Sequence, residues 1–191
     1  GELAYESLLS LLSPRTKLVS CTQVSNVLGT VNNINRIKTI LSVFNPDIRL
    51  LVDGSQAAPH LDIDLRALGC DFYTLTGHKL FGPTGTGMLW ARRELLEAMP
   101  PFFGGGEMIR EVAKDWVTYG DPPHKFEAGT PAIVESIGLG AAIDYVNSIG
   151  KERIAAHEHD LLTYATDRLR EINSIRIIGT AKGKGPVISF E

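Results

Sequence analysis

The chain has 191 residues, of which 43% are hydrophobic and 21% are charged, and this balance is typical of a folded globular domain rather than a disordered segment. The formal net charge of −3, with no run of Lys and Arg, gives no basic surface for a nucleic-acid backbone, so we expect no nucleic-acid partner. No apolar stretch reaches the roughly 18 to 20 residues of a membrane span, and we expect no membrane association.

The first hundred residues alternate short apolar runs with segments of helical periodicity. Strands are predicted, in chain order, at residues 16–21, 48–53, 70–76 and 87–92. Helices are predicted at 33–46, with Ile34, Ile37, Leu41 and Phe44 on one face, and at 93–99. Apolar strands separated by helices are typical of an α/β fold with a mixed, mostly parallel sheet and helices on both faces.

The second half of the chain is predicted to be mostly helical after an irregular segment. Residues 104–131 are rich in Gly and Pro, and we expect them to lie on the surface or to contact a partner. Thr130 has the form of an N-cap before a proline, which predicts a helix that starts there and ends at Gly150. A longer helix is predicted at 151–172, and a strand that follows it begins a smaller domain. We therefore expect one domain over 1–150, and a linking helix with the start of a second domain over 151–191.

Polar side chains follow three of the predicted strands. Ligands in open α/β sheets bind beyond the carboxyl ends of the strands, so side chains at neighbouring strand ends can converge on one ligand. A lysine at the end of a buried strand loses hydration, so it either reaches water or has a chemical task. A lysine that can form a Schiff base, together with an Asp that faces a pyridinium nitrogen, is the arrangement that pyridoxal phosphate requires. The candidate residues are Asn26, Asp53, Gln56, Thr76, His78 and Lys79.

Each of these residues also has an ordinary structural interpretation. Lys79 can be a solvated surface amine, and Asp53 can simply form the turn before Gly54. Gln56 and Asn26 can tie down loops, and His60 is interpreted as a loop residue. The glycine-rich "GPTGTG" lacks the Gly-Lys-Ser/Thr ending of a P-loop, so it is interpreted as a tight turn. No metal site is predicted.

The two cysteines, Cys21 and Cys70, lie in apolar strand contexts. Burial raises the pKa of a thiol, and a strand holds its backbone rigidly, so neither is expected to act as a mobile nucleophile. Reduced, buried thiols suit a reducing compartment, and we expect a cytoplasmic or organelle-stroma location, with the cytoplasm as the prediction. The amino terminus lacks the pattern of a signal peptide. The chain starts at Gly1 and stops at Glu191 inside a strand-like segment, so we expect it to continue at both ends.

Several ordered motifs resemble the class V aminotransferase-fold enzymes, and among them most closely the SUF-type cysteine desulfurases and selenocysteine lyases. The central motif is "VDGSQAAPHLDIDLRALGCDFYTLTGHKLFGPTGTGMLW" at 52–90. It is preceded by "VSNVLGTVN" at 24–32 and followed by "FEAGTPAI" at 126–133. The resemblance implies the large domain of a fold-type-I enzyme that uses pyridoxal 5'-phosphate (PLP), with the small domain starting after residue 150.

The resemblance also implies a role for each matching residue. Lys79 would be the Schiff-base lysine, Asp53 the partner of the pyridinium nitrogen, and Gln56 a donor near the phenolic oxygen of the ring. Thr76 and His78 would hold the phosphate, Thr130 would reach the phosphate of the neighbouring subunit in a homodimer, and Asn26 would face the substrate and the ring edge.

The implied activity is that of a cysteine desulfurase, which converts L-cysteine to L-alanine and passes the sulfur as a persulfide toward iron–sulfur cluster assembly. In the family, the residue that stacks on the ring precedes the region present here. The carboxylate-binding arginine and the persulfide-forming cysteine follow it, so a fragment would lack them. Two alternatives stay open: another class V aminotransferase or lyase, and a non-catalytic large domain. Selenocysteine as the substrate and a sulfur-acceptor protein as a partner are also implied.

Overall fold

A four-stranded sheet forms the centre of the protein in a computed structural model that describes residues 1–191. Its strands, in chain order and also in spatial order, are β1 (Leu18–Thr22), β2 (Arg49–Asp53), β3 (Phe72–Thr76) and β4 (Gly87–Ala91). The first three strands are parallel, and β4 pairs antiparallel with β3. The predicted mixed, mostly parallel α/β sheet is confirmed.

Three helices build the main core against this sheet: α1 (Tyr5–Leu11), α2 (Ile34–Phe44) and α3 (Leu65–Leu68). The Asn33 side chain caps α2 by accepting a hydrogen bond from the backbone N–H of Arg36 at 2.9 Å. The predicted apolar face of α2 is buried except at its end. Phe44 is 38% exposed, because the helix ends at this residue and no following turn covers its ring. The buried core residues are Ile34, Ile37, Leu41, Ile48, Leu50, Val52, Cys70 and Tyr73.

A second, smaller core joins the end of the sheet to the carboxyl-terminal helices. These helices are α5 (Ile133–Ile149) and α6 (Lys151–Arg170), which Gly150 separates with a φ of +91°, while a further helix, α4 (Arg93–Ala98), follows β4. Leu80, which follows β3, packs with Ala58 and with Val146 of α5. None of the helices combines the length and the apolar sequence that crossing a membrane requires.

Two expectations about the second half of the chain are wrong. The 104–131 segment is not wholly irregular, since it contains a hairpin of β5 (Ile109–Val112) and β6 (Val117–Tyr119). Every side chain of β5 is exposed, so the alternation of buried and exposed residues that marks a strand in a sequence is missing. Thr130 does not cap α5, because the chain stays outside helical geometry through Ala132. A last small pairing joins β7 (Ile177–Ile178) to β8 (Ser189–Phe190).

Candidate active site

The carboxyl ends of β1, β2 and β3 lie side by side at one edge of the sheet. Asp53, the last residue of β2, pairs with Thr22 of β1 and with Thr74 of β3. Because residues paired across strands share a face and side chains alternate along a strand, Asp53, Thr74 and Thr76 belong to the same face of the sheet. The structure therefore places Asp53 and Thr76 at the ends of neighbouring strands and on one face of the sheet.

Asp53 is half-buried and forms the turn that follows β2. Its Oδ1 accepts a hydrogen bond from the backbone N–H of Ser55 at 2.9 Å, which is the turn-forming role described above. Its other oxygen has no partner in the chain. Gly54 is required at this turn, because a Cβ there would lie 1.9 Å from the ring of Tyr73. The Tyr73 hydroxyl, in turn, donates to Gln23 Oε1 at 2.7 Å. One carboxylate oxygen of Asp53 is thus used by the fold, and the other is available to a ligand.

Lys79 lies in a short 3-10 helix, Gly77–Leu80, directly after β3. The backbone of this turn is held on both sides, since the N–H of Gly77 donates to the Thr86 carbonyl at 2.8 Å and the N–H of Gly82 donates to the Gly77 carbonyl at 2.9 Å. A Cβ at Gly77 would lie 2.6 Å from Thr86 Cγ2. The Lys79 side chain is half-buried, and its amine makes no hydrogen bond or ion pair within the chain. A fixed backbone therefore carries an unpartnered amine.

Thr76 precedes this turn and carries an unsatisfied hydroxyl. Its Oγ1 is buried and has no hydrogen-bond partner, a property that it shares with only one other buried side-chain atom, Asp71 Oδ1. A buried hydroxyl without a hydrogen-bond partner destabilises the folded state by about 1–3 kcal/mol. The Asp71 oxygen at least lies 3.6 Å from Arg92 Nε, whereas Thr76 Oγ1 has no such neighbour. An orphaned donor of this kind points to a ligand atom that completes it.

Gln56 follows Asp53 in the same turn and contacts a histidine that the sequence analysis interpreted only as a loop residue. Gln56 Nε2 lies 3.4 Å from His60 Nε2, and His60 Nδ1 lies 2.8 Å from Glu158 Oε1 on α6. His60 does lie in a loop, but it also forms this hydrogen bond. Glu158 is 98 residues away, so no local pattern in the sequence indicates the contact.

The remaining candidates, Asn26, His78 and Thr130, are exposed. Asn26 lies in the loop after β1, in a turn where Ser25 Oγ accepts from the backbone N–H of Leu28 at 3.0 Å. Thr130 precedes α5 and makes no hydrogen bond to the strand-end residues. Asp53 and Thr76 thus end the neighbouring strands β2 and β3, and Gln56 and Lys79 lie in the turns that follow them. The roles of all seven candidates stay predictions.

Both cysteines are free thiols and have raised pKa values. Burial raises the pKa of Cys21 to about 11, with a smaller contribution from the neighbouring thiol of Cys70. Burial likewise raises the pKa of Cys70, whose side chain lies in the main core. Thiols with raised pKa values are protonated at neutral pH. The expectation of a buried thiol agrees with the structure for Cys70, whereas Cys21 is half-buried.

The site therefore consists of an Asp at the end of the second parallel strand and a lysine-bearing turn after the third. The aminotransferase class-V family model matches residues 1–191, and the chain belongs to this family. Among curated relatives, a probable cysteine desulfurase of Xylella fastidiosa (strain 9a5c) is 55% identical over 190 residues. The match covers 100% of this chain and 45% of the relative. The chain therefore spans about half the length of the curated relatives that it matches.

Solved structures show the same fold. The cysteine desulfurase CsdA from Escherichia coli has a TM-score of 0.92 and 35% identity, over 98% of this chain and 46% of that chain. C-DES has a TM-score of 0.88 and 27% identity, over 100% of this chain and 50% of that chain. One C-DES structure is a mutant with glycine covalently linked to the PLP cofactor, and another, described as a cystine C–S lyase, holds its reaction product cysteine persulfide.

Proposed function

We propose that the whole protein containing this chain is a PLP-dependent cysteine desulfurase, and that this chain supplies the lysine that binds the cofactor. The observation that carries the proposal is the turn after β3, where the unpartnered amine of Lys79 follows the buried, unpartnered hydroxyl of Thr76. The 55% identity to a probable cysteine desulfurase supports the choice of reaction.

The residues at the strand ends fit PLP. The orphaned hydroxyl of Thr76 suits a phosphate oxygen, the free oxygen of Asp53 suits a pyridinium nitrogen, and the amine of Lys79 suits an aldehyde. We further assign His78 to the phosphate, Gln56 to the phenolic oxygen and Asn26 to the substrate and the ring edge.

The chemistry divides between the cofactor and the chain. When bound, PLP supplies an electron-accepting ring that stabilises negative charge on the α-carbon of an amino acid. Lys79 Nζ would take the α-proton of the substrate, because it is the basic group held at the reacting end of the site. Asp53 would hold the proton on the ring nitrogen through a charge-assisted hydrogen bond.

The sulfur transfer requires a nucleophile that this chain does not supply, because Cys21 is half-buried, Cys70 is buried, and burial raises the pKa of both thiols. A cysteine thiolate elsewhere in the whole protein would attack the sulfur of L-cysteine. The carbon–sulfur bond would break and a sulfur–sulfur bond would form, the β-carbon would gain the proton lost from the substrate thiol, and Lys79 Nζ would return the proton to the α-carbon to give alanine. Selenocysteine would react in the same way. The persulfide would pass its sulfur to an acceptor protein, with iron–sulfur cluster assembly as the destination.

We assign the chain to the large PLP-binding domain over 1–150 and to the start of a small domain over 151–191, in a cytoplasmic homodimer. The separate β7–β8 pairing after α6 supports the division, and the two free thiols support a reducing compartment. Thr130, exposed before α5, would reach the phosphate of the neighbouring subunit.

A second candidate is a carbon–sulfur lyase, which the 27% identity to the cystine C–S lyase C-DES favours. A lyase needs no persulfide-forming cysteine in the protein and produces no alanine. A non-catalytic domain is the third alternative, and it would bind no PLP.

The test measures alanine formed from L-cysteine by the whole protein loaded with PLP. Lys79→Ala should abolish turnover and leave the fold intact, because it removes an unpartnered amine and no buried apolar volume. Lys17→Ala, at an exposed position before β1, is the matched control and should keep full activity. Borohydride reduction followed by peptide mapping should label Lys79. Label on another lysine would refute the site, and a protein that binds no PLP would favour the non-catalytic domain. Sulfide and pyruvate from L-cysteine without alanine, or cysteine persulfide from cystine, would favour the lyase.

A further inference from the structure

Gln56, His60 and Glu158 form a connected polar chain that joins the turn after β2 to helix α6. The Glu158 side chain is 20% exposed and the His60 side chain is 15% exposed, so their contact at 2.8 Å is largely shielded from water. Hydrogen bonds to a charged group are stronger in such surroundings than in solvent. His60 continues the chain to Gln56, whose Nε2 lies 3.4 Å from His60 Nε2.

The chemistry of the three groups determines where the protons lie. A carboxylate only accepts hydrogen bonds, so Glu158 requires the proton of the neutral imidazole on Nδ1. The other ring nitrogen, Nε2, then becomes an acceptor, and it faces the amide nitrogen of Gln56, which is a donor. An amide nitrogen has two hydrogens, so the second one remains available to an acceptor on a ligand.

The His60–Glu158 pair is more than an anchor for the loop, because a separate contact already provides one. Lys151 at the start of α6 donates to the carbonyl of Leu61 at 3.1 Å and also to the carbonyl of Ala58. These bonds hold the backbone of the loop, whereas the His60–Glu158 pair acts on the side chain of Gln56.

We propose that Glu158 and His60 are positioning residues, which fix the orientation of the Gln56 amide so that its free N–H meets the phenolic oxygen of PLP. The inference rests on the proposed function, in which Gln56 contacts the cofactor. Through this pair, helix α6 also affects the affinity for the cofactor.

The first experiment needs no cofactor. Nitrogen NMR of the histidines in the PLP-free whole protein should show His60 with its proton on Nδ1. Glu158→Leu should move the proton toward Nε2, while Glu158→Gln should preserve the Nδ1 proton, because its amide oxygen still accepts. An unchanged tautomer in Glu158→Leu would overturn the proposal.

The second experiment measures PLP affinity by absorbance titration of the whole protein. His60→Leu and Glu158→Leu should each weaken binding about fivefold, as expected for one lost hydrogen bond. Glu152→Leu, at an exposed position on the same helix, should change nothing. In a Gln56→Leu background, neither His60→Leu nor Glu158→Leu should weaken PLP binding further. Lys151→Met, which removes the loop anchor, should lower the free energy of unfolding by the same amount in the wild-type and in the Gln56→Leu protein.

Additive losses in the Gln56→Leu background would show that the pair acts only on the fold, and would overturn the proposal. A wild-type protein that binds no PLP would overturn the proposed function and the cofactor role of Gln56 together. The NMR measurement would then still decide whether Glu158 sets the tautomer of His60, so the two failures are distinguishable.

Discussion

Asp53 has two separable tasks, one for each of its oxygens. Oδ1 closes the turn to Ser55, and the second oxygen is free for the proposed pyridinium contact. The sequence analysis treated these tasks as alternatives. At the scale of the residue they are compatible, because a carboxylate can accept on both oxygens at once.

Asp53→Asn should separate the two tasks. The Asn side chain keeps an oxygen for the N–H of Ser55, so the free energy of unfolding should change by less than about 0.5 kcal/mol. PLP affinity and the rate of α-proton removal should both fall, because loss of a charge-assisted hydrogen bond costs about 1.5–3 kcal/mol. Cofactor titration and single-turnover kinetics measure these effects. Unchanged affinity and rate would leave Asp53 with the turn-forming task alone.

Neither cysteine of the chain should be needed for sulfur transfer. The pKa of Cys21 is raised to about 11 and that of Cys70 is also raised, so at neutral pH both lack the thiolate that attacks sulfur. Cys21→Ala and Cys70→Ala should keep alanine formation from L-cysteine, although Cys70→Ala should lower stability because Cys70 lies in the main core. Loss of turnover in Cys70→Ala with PLP still bound would contradict this assignment.

At the scale of the elements, a buried carboxylate joins α2 to the sheet at the amino-terminal end of β3, away from the strand ends that carry the site. Asp71, just before β3, accepts from Lys38 Nζ of α2 at 2.8 Å and from the backbone N–H of Leu50 in β2 at 2.9 Å. Burial alone would raise the pKa of Asp71, but these hydrogen bonds and the charge of Arg92 lower it below its ordinary value. The interaction orders β2, β3 and α2 relative to one another, and therefore orders the strand ends that carry the site.

The stability of the chain should therefore depend on pH through Asp71. A carboxyl whose pKa is lowered by folding stabilises the folded state at pH values above its unfolded pKa of about 3.9, and this stabilisation is lost as the pH falls below that value toward the folded pKa. Lys38→Met should lower the free energy of unfolding by about 1.5–3 kcal/mol at pH 7 and by less in acid. Urea unfolding of the whole protein at several pH values checks this. An equal cost at all pH values would contradict the role of the charge.

At the scale of the whole molecule, the segment before α5 is the proposed contact between subunits. Phe102 and Phe103 are 84% and 69% exposed, and Val134 and Ile137 of α5 are 77% and 70% exposed. Exposed apolar side chains of this size are typical of surfaces that a partner covers. They support the proposed homodimer, in which Thr130 contacts the phosphate of the neighbouring subunit.

Thr130→Ala should lower PLP affinity only when the protein is a dimer. The exposed hydroxyl makes no bond within its own chain, so its loss should leave the unfolding free energy almost unchanged. Sedimentation measurements together with cofactor titration across the dissociation range test this. A protein that is fully active as a strict monomer would contradict both the dimer and the role of Thr130.

The sequence by itself determined where the four strands of the sheet lie along the chain, which residues form the apolar face of α2, and which residues end β2 and β3. These features are readable because each depends on local periodicity or on a motif of adjacent residues, as in the turn from Thr76 to Lys79. The β5–β6 hairpin was missed because its side chains are exposed, and an exposed strand has no burial pattern to read.

Only the tertiary structure decided which polar groups are satisfied and which are not. The orphaned hydroxyl of Thr76 and the pairing of His60 with Glu158 depend on distances between segments that are far apart in the chain. His60 and Glu158 are 98 positions apart, and they meet only because α6 packs against the segment that follows β2. Long-range packing, which leaves no local signature, therefore determines how the site is supported, whereas local motifs determine which residues form it.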